Sequence, residues 1–206
     1  MANIVLIGAG GHCKACLDVI FAIGEYDIAA LVDRPENLGK KLLGLSISHS
    51  DNDLPSLIAK YSNVLICLGQ IKSPEARKNL YNNALALGAS FPVHISPHAY
   101  VSPSAQVGAG TIIMHQALLN AQAKVAANCI INTKALLEHE VRVGDHCHIS
   151  TGAIINGGSV VEAGCFIGSH ATVGQGLLIG SNSIIGAGSV VLKNVPAGSK
   201  IVGVWA

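Results

Sequence analysis

The chain has 206 residues, which suits one large or two small domains. Half of the residues are hydrophobic, 12% are charged and the formal net charge is +1, so there is ample material for buried cores and no bulk electrostatic case for nucleic acid or an anionic membrane. The apolar run that starts at Ile4 is broken at Gly8, too early for a signal core or a membrane span, so we expect a cytoplasmic protein whose six cysteines stay reduced.

Residues 1–90 follow a βαβ pattern. The apolar runs at 4–7, 28–32 and 64–68 are typical of buried parallel strands, and the apolar-rich stretch that ends at Ile23 indicates a helix. Residues 73–87 indicate another helix, with Ser73 as N-cap and Pro74 at its first position. We predict an α/β N-terminal Rossmann-like half domain with a parallel sheet.

A glycine-rich loop, Gly8-Ala-Gly10-Gly11-His12, links the first strand to the first helix. Glycines let a ligand approach the backbone closely, and the amides at a helix N-terminus favour a phosphate. The dinucleotide fingerprint would place a third glycine where Cys13 stands, and the domain is about half the usual size, so we exclude NAD and FAD. A single nucleotide with a diphosphate and a tight turn without a ligand both remain open.

The cysteine pair Cys13-x-x-Cys16 follows this loop. A redox pair would require a thioredoxin-like pattern around it, and that pattern is missing. We therefore interpret the two cysteines as small residues on one face of a helix.

Residues 91–206 contain a six-residue repeat, the hexad, which runs from Ile95 to Val191 without insertion or loss. An aliphatic residue occupies seventeen successive positions: Ile95, Val101, Val107, Ile113, Leu119, Val125, Ile131, Leu137, Val143, Ile149, Ile155, Val161, Ile167, Val173, Ile179, Ile185 and Val191. Four residues after each of the first sixteen stands Ala, Ser, Thr or Cys, except at Val141 and Leu177. A period of six suits a short strand plus a turn, and three such hexads close one triangular coil.

This pattern predicts a parallel β-helix of about five coils between residues 95 and 191. Cys129, Cys147 and Cys165 are three hexads apart, one in each coil, so they should stack inside the prism as small buried residues. The hexad resembles the bacterial transferase hexapeptide repeat, and this resemblance, not the physics of the strands, implies a left-handed β-helix.

Among nine histidines, His139 stands out because it lies between Glu138 and Glu140 and two residues after the core position Leu137. It should therefore occupy a corner of the prism, where an adjacent carboxylate fixes the tautomer of an imidazole and raises its basicity. A histidine next to a carboxylate can act as a general base, although a solvated polar corner of the prism would contain the same residues. His146-x-His148 is in turn a weak signal for zinc shared between chains, as in the β-helical carbonic anhydrases.

The chain resembles the bacterial sugar O-acyltransferases, a family that includes sialic acid O-acetyltransferases and nucleotide-aminosugar N-acetyltransferases such as the bacillosamine-pathway enzyme. The segments that carry the resemblance are 7–12, 31–33, 131–135 with His139-Glu140, 148–150, 157–158 and 185–191. They span nearly the whole chain. The C-terminus departs from the family pattern, since Gly203-Val-Trp205-Ala206 replaces a Gly-x-Pro segment, and Trp205 either stacks on adenine or covers the last coil.

The resemblance implies roles for individual residues. His139 matches the family's catalytic base, Glu140 its acidic neighbour, and His148 a histidine that contacts acetyl-CoA near the thioester. The residues that match the sugar-nucleotide site are Gly10, Gly11, His12, Asp33, Arg34 and Gly69. Those in later coils, where the family's pantetheine arm runs, are Gly168, Ser169, Gly186 and Ala187.

From the resemblance we expect a homotrimer with active sites between subunits, acetyl-CoA as cosubstrate and no metal. The favoured reaction is N-acetylation of the 4-amino group of a nucleotide-linked 4-amino-4,6-dideoxy sugar, with UDP as the favoured nucleotide. O-acetylation of sialic acid or another sugar hydroxyl is the alternative. A zinc-dependent carbonic anhydrase-like enzyme and a non-catalytic sugar-nucleotide binder are more distant ones.

Overall fold

The computed structural model describes residues 1–206. Its α/β part contains a three-stranded parallel sheet in the order β2-β1-β5, together with a short antiparallel hairpin and three helices. The strands are β1 (Ala2–Ile7), β2 (Tyr26–Val32), β3 (Lys41–Leu42), β4 (Leu45–Ser46) and β5 (Val64–Ile66), and the helices are α1 (Gly11–Ile23), α2 (Leu54–Lys60) and α3 (Glu75–Ala86). Single 3₁₀ turns occupy Pro35–Asn37 and Asp51–Asp53. No helix of the chain combines the length and the apolar character needed to cross a bilayer.

The α/β elements follow the predicted order, with two differences. The structure adds α2 and the β3–β4 hairpin, whose seven-residue and two-residue segments are too short for a periodic signal. The prediction of Ser73 as N-cap was wrong by one residue, because Pro74 holds that position. Ser73 still caps the helix in part, since its Oγ accepts the N–H of Glu75 at 3.2 Å.

The rest of the chain is a parallel β-helix made of two-residue strands separated, through most of its length, by four-residue turns. The strands, from β6 to β24, are His94–Ile95, Tyr100–Val101, Gln106–Val107, Ile112–Ile113, Leu118–Leu119, Lys124–Val125, Ile130–Ile131, Leu136–Leu137, Arg142–Val143, His148–Ile149, Ile154–Ile155, Val160–Val161, Phe166–Ile167, Thr172–Val173, Leu178–Ile179, Ile184–Ile185, Val190–Val191, Lys200–Ile201 and Val204–Trp205. They form three parallel sheets, which are the three faces of a prism. Sheet 1 begins with β6, sheet 2 with β7 and sheet 3 with β8. Through most of the stack, each strand pairs with the strand three hexads later. Five complete coils lie between β6 and β20, as predicted, and shorter segments continue the stack to Trp205.

The aliphatic position of the hexad forms the core of the prism. It is at most 3% exposed from Ile113 to Val191. Ile95 is 38% exposed, because it belongs to the first coil and no further coil covers it. At the other end, Trp205 packs against the core and its Nε1–H donates to the Asn194 carbonyl at 3.2 Å, so it covers the last coil.

The small position of the hexad has a hydrogen-bonding role that the sequence alone did not suggest. At the turn from sheet 3 to sheet 1, a side-chain O–H or S–H donates to a backbone carbonyl of the next coil, at 2.8–3.2 Å, in five successive coils: Thr111, Cys129, Cys147, Cys165 and Ser183. The column of three cysteines is therefore confirmed as buried and structural.

The α/β part lies against sheet 1. Outward-facing Ile112 and Ile130 of this sheet share a buried cluster with Leu17 and Ile20 of α1 and with Leu6 of β1. The outward residues of sheet 2 have no such cover within the chain. One face of the prism thus carries the glycine-rich loop, and sheets 2 and 3 are left open.

Candidate active site

The glycine-rich loop is held in place by Asp33, at the carboxyl end of β2. Asp33 Oδ2 accepts the N–H of Ala9 at 2.5 Å, and Oδ1 accepts the N–H of Arg34 at 2.7 Å and the side-chain amide of Asn37 at 2.9 Å. Partial burial alone would raise the pKa of Asp33, but these three hydrogen bonds keep it below its usual value. Asp33 therefore shapes the loop as a permanent carboxylate.

Two cavities meet at this loop, and Gly10 and Leu68 line both of them. Cavity A, of about 470 Å³, lies over the carboxyl ends of β1 and β2 and extends to α3; its lining includes Asp33, Arg34, Asp51, Asn79 and Asn83. Cavity B, of about 550 Å³, lies between the N-terminus of α1 and sheet 1; its lining includes Gly11, His12, Gly69, Lys72 and His148. The candidate sugar-nucleotide residues are thus brought together around one loop, and His148 joins them.

His148 connects the two parts of the chain. Its Nδ1 lies 2.6 Å from the carbonyl oxygen of Gln70, which can only accept, so Nδ1 carries the proton. Nε2 then accepts from the amide of Asn132 at 3.1 Å. Burial lowers the pKa of His148 to about 4, so the ring is neutral near pH 7.

Gln70 was missed by the sequence analysis. It is 2% exposed, its carbonyl orients His148, and its side-chain amide lies 3.3 Å from the carbonyls of Gly164 and Cys165. Its only signal in the sequence is its position directly after Gly69, at the end of a predicted strand.

His139 lies in the turn from sheet 2 to sheet 3, at a corner of the prism as predicted. Its side chain is 53% exposed, and its Nδ1 is 3.2 Å from Glu140 Oε2. Glu140 has a positive φ of 61°. The arrangement leaves Nε2 without a partner in the chain.

Gly157, one coil further along, makes room for this ring. A Cβ at Gly157 would lie 2.6 Å from both Cε1 and Nε2 of His139. The N–H of Gly157 also lacks an acceptor in the chain, whereas the N–H of His139, one coil earlier, contacts Glu138 Oε2 at 3.3 Å. The side-chain amide of Asn156 donates to Val173 O at 2.7 Å, and its Oδ1 does not accept the N–H of Gly157.

His139 and cavity B are not brought together within one chain. Cavity B lies against sheet 1, whereas His139 occupies the corner where sheets 2 and 3 meet, opposite that face.

The four predicted pantetheine contacts lie in turns from sheet 1 to sheet 2, in the later coils. Gly168 has a structural reason to be glycine, since a Cβ there would lie 2.5 Å from the backbone nitrogen of Ala187 in the next coil. Ser169 Oγ lies 3.0 Å from Ser150 Oγ, and a Cβ at Gly186 would lie 3.2 Å from the carbonyl oxygen of Ile201.

The histidine pair considered for zinc is occupied by contacts within the chain. His146 Nδ1 lies 2.9 Å from the amide of Asn128, and its ring meets Tyr81 edge-on, while His148 is held by Gln70 and Asn132. No group of three His, Cys, Asp or Glu side chains is arranged to hold a metal ion.

Comparison with known protein families finds a match in the α/β part and another in the β-helix. Residues 3–84 match the family model "PglD N-terminal domain", and residues 158–193 match "Bacterial transferase hexapeptide (six repeats)". A search of curated protein sequences finds no match.

Several solved structures are similar over nearly the whole chain. PerB from Caulobacter crescentus, solved with CoA and GDP-perosamine, is 33% identical over 96% of this chain and 92% of that one, with a TM-score of 0.87. A histidine-to-alanine variant of GDP-perosamine N-acetyltransferase from the same organism is 32% identical, over 98% and 94%, with a TM-score of 0.91. The acetyltransferase domain of PglB from Neisseria gonorrhoeae, solved with acetyl coenzyme A, is 30% identical, over 98% and 96%, with a TM-score of 0.89.

The α/β half domain joined to a left-handed hexapeptide β-helix, together with the similarity to these acetyltransferases, shows that the chain is an acyltransferase. Within that class, the chain belongs to the nucleotide-aminosugar acetyltransferases of the hexapeptide-repeat family.

Proposed function

We propose that the protein transfers the acetyl group of acetyl-CoA to the 4-amino group of a nucleotide-linked 4-amino-4,6-dideoxy sugar. The observation that carries this proposal is the combination of two cavities around one glycine-rich loop with an exposed His139–Glu140 pair on the β-helix. The relatives solved with CoA, acetyl coenzyme A and GDP-perosamine support both substrates.

The open face of sheet 2 supports a homotrimer. Its outward residues are mostly apolar and partly or fully exposed along the prism: Tyr100, Leu118, Leu136, Ile154, Thr172 and Val190. A continuous apolar face of this kind favours burial against other copies of the chain. Packing prisms around this face would bring the His139 corner of one subunit toward the sheet 1 side of its neighbour, which carries His148 and cavity B.

The chemistry then needs no covalent intermediate on the enzyme. The amine nitrogen attacks the thioester carbonyl, His139 accepts the proton that the amine loses, and Glu140 stabilises the imidazolium. The C–S bond breaks, the amide forms, and the CoA thiolate leaves and takes up a proton. The unpaired N–H of Gly157, beside His139, is placed to stabilise the developing oxyanion, a contribution typically worth about 10²–10³-fold.

The two cavities and the family resemblance support the following substrate contacts. Gly10, Gly11 and His12 take the diphosphate and sugar at the N-terminus of α1, with Gly69 opposite and Arg34 toward the nucleoside. His148 contacts acetyl-CoA near the thioester. The pantetheine arm runs past the later turns that contain Gly168, Ser169, Gly186 and Ala187.

The nucleotide is the finer part of the proposal. The sequence-based preference for UDP rests on family resemblance, and the relative solved with GDP-perosamine makes a GDP-linked acceptor an equal candidate. A thiol-release assay with acetyl-CoA over UDP-, dTDP- and GDP-linked 4-amino sugars and sialic acids selects among them. Release only with sialic acid would favour the O-acetylation alternative, and no release with any acceptor would favour a non-catalytic binder. The cytoplasmic location stays a prediction.

The role of His139 is tested by His139→Ala. We expect turnover to fall by the general-base factor of about 10²–10⁴-fold, with assembly state unchanged in size-exclusion chromatography with light scattering. His98→Ala, an exposed histidine in the first coil, is the matched control and should keep normal turnover. Near-normal turnover of His139→Ala would refute the assignment.

A further inference from the structure

Cavity A has the position of a nucleoside site. The glycine-rich loop and the N-terminus of α1 form its inner end, where a diphosphate is favoured. Beyond β2, the segment that ends at His49 runs alongside it, through hydrogen bonds from Ser48 N to Leu31 O and from Asp33 N to His49 O. Asp51 follows this segment after Ser50 and lines the cavity beyond Asp33.

Arg34 lies at the exposed edge of cavity A and forms an ion pair with Glu36 at 4.0 Å. The other polar side chains of the cavity fall into two sets. Asp33 and Asn37 are engaged within the chain, since Asn37 donates to Asp33 and accepts from Lys40 Nζ at 2.6 Å. The nearby Asp53 is likewise engaged, by the N–H and Oγ of Ser50 at 2.8 and 3.1 Å.

The second set has no partners. The exposed carboxylate of Asp51 makes no hydrogen bond or ion pair in the chain, and neither do the amides of Asn79 and Asn83, one turn apart on α3. These side chains line a cavity whose remaining surface includes the apolar Ile7 and Leu80. An apolar cavity with a few unpaired polar groups suits a flat, polar-edged ring.

The chemistry of an ionised carboxylate restricts which base fits. A carboxylate only accepts hydrogen bonds, and it binds best to two parallel donors. Guanine offers two adjacent donors, N1–H and the N2 amino group. Uracil and thymine offer one N–H between two carbonyl oxygens, which a carboxylate repels.

We infer that cavity A binds a guanine nucleoside, with the Asp51 carboxylate accepting from guanine N1–H and N2–H and the amides of Asn79 and Asn83 available to the acceptor atoms of the base. The inference deepens the proposed function and rests on it, because it specifies a GDP-linked acceptor in place of the UDP-linked one favoured by the sequence.

Binding of GDP, IDP and UDP to the full-length protein, measured by isothermal titration calorimetry, tests this inference. IDP keeps N1–H and lacks the N2 amino group, so it isolates half of the proposed contact. We expect GDP to bind about 10- to 100-fold more tightly than UDP, with IDP between them, since hydrogen bonds to a charged group have this magnitude. Asp51→Asn should weaken GDP binding by a similar factor and leave UDP binding unchanged or tighter, because the carboxylate makes no favourable contact with uracil.

Asp27→Asn is the matched control, because Asp27 is an exposed aspartate on β2 outside the cavity and its replacement removes the same charge. It should leave the binding of all three nucleotides unchanged. Equal binding of GDP and UDP would overturn the inference. An equal loss of affinity for GDP and UDP in Asp51→Asn would also overturn the inference, because it would place the carboxylate on the ribose that both nucleotides contain. Acetyl-CoA is absent from these titrations, so failure of acetyl transfer is detected separately, in the thiol-release assay.

Discussion

Acid should destabilise the protein through His94, on the first strand of sheet 1. His94 is fully buried against the α/β part, meets the ring of Tyr26 edge-on at 5.1 Å, and has no hydrogen-bond partner at either ring nitrogen. Burial lowers its pKa from 6.5 to about 4. Between these two values the unfolded chain binds a proton that the folded chain does not, so stability falls as pH falls through this window.

The size of the effect follows from the two pKa values. On lowering the pH from about 7.5 to about 5, one histidine with this shift should cost about 2 kcal/mol of the free energy of unfolding, approaching about 3.4 kcal/mol below pH 4. His148 also lowers the free energy of unfolding as the pH falls, because burial lowers its pKa as well.

The contribution of His94 to the pH dependence of stability is isolated by His94→Leu, which removes the titrating ring and keeps an apolar side chain of similar size. Urea unfolding followed by circular dichroism, at one fixed protein concentration, gives the free energy of unfolding at both pH values. We expect the wild type to lose about 2 kcal/mol more than the variant over this pH interval. His98→Leu, at an exposed histidine, should behave as the wild type does. Equal losses in the wild type and His94→Leu would refute the reasoning.

Two further predictions concern the site. Gly157→Ala should displace the His139 ring and lower turnover about 10²–10⁴-fold. The circular dichroism spectrum should stay unchanged, because the added Cβ meets a side chain that can move and not the backbone. Unchanged turnover would contradict the position assigned to the His139 ring. The second prediction is that each site combines His139 of one subunit with Asp33 of its neighbour. The inactive variants His139→Ala and Asp33→Ala, co-refolded in equal amounts, should then recover about a quarter of wild-type turnover, because about a quarter of the sites receive both intact residues. No recovery in the co-refolded mixture would place the whole site within one chain.

The β-helix could be predicted in detail because its sequence signal is both periodic and local. Each coil repeats the same two requirements, an aliphatic residue in the core and a small residue at the bend, so a register read at Ile95 holds to Val191. The corner position of His139 follows from that register alone. The exposure of Ile95 does not, since it depends on which coil ends the stack.

The α/β part was predictable in outline. Apolar runs and the glycine-rich loop indicated β1, α1, β2 and β5 in the correct order, whereas α2 and the β3–β4 hairpin gave no periodic signal. Gln70 and Gly157 were missed as site residues for a common reason. Each acts on a histidine that is distant in the sequence. The backbone carbonyl of Gln70 orients His148, and the absence of a Cβ at Gly157 makes room for the ring of His139.

The sequence by itself determined the fold, the division into an α/β part and a prism, and the residue types available for chemistry, because these depend on local patterns of side chains. Only the tertiary structure decided which of those residues meet. It engages Asp33 with the glycine-rich loop and leaves Asp51 without a partner, and it makes His148 a neutral link between the two parts. It also separates His139 from cavity B on opposite sides of the prism. The physical reason is that the decisive hydrogen-bond partners and burial come from residues far apart in the sequence, and only the packed chain brings them into contact.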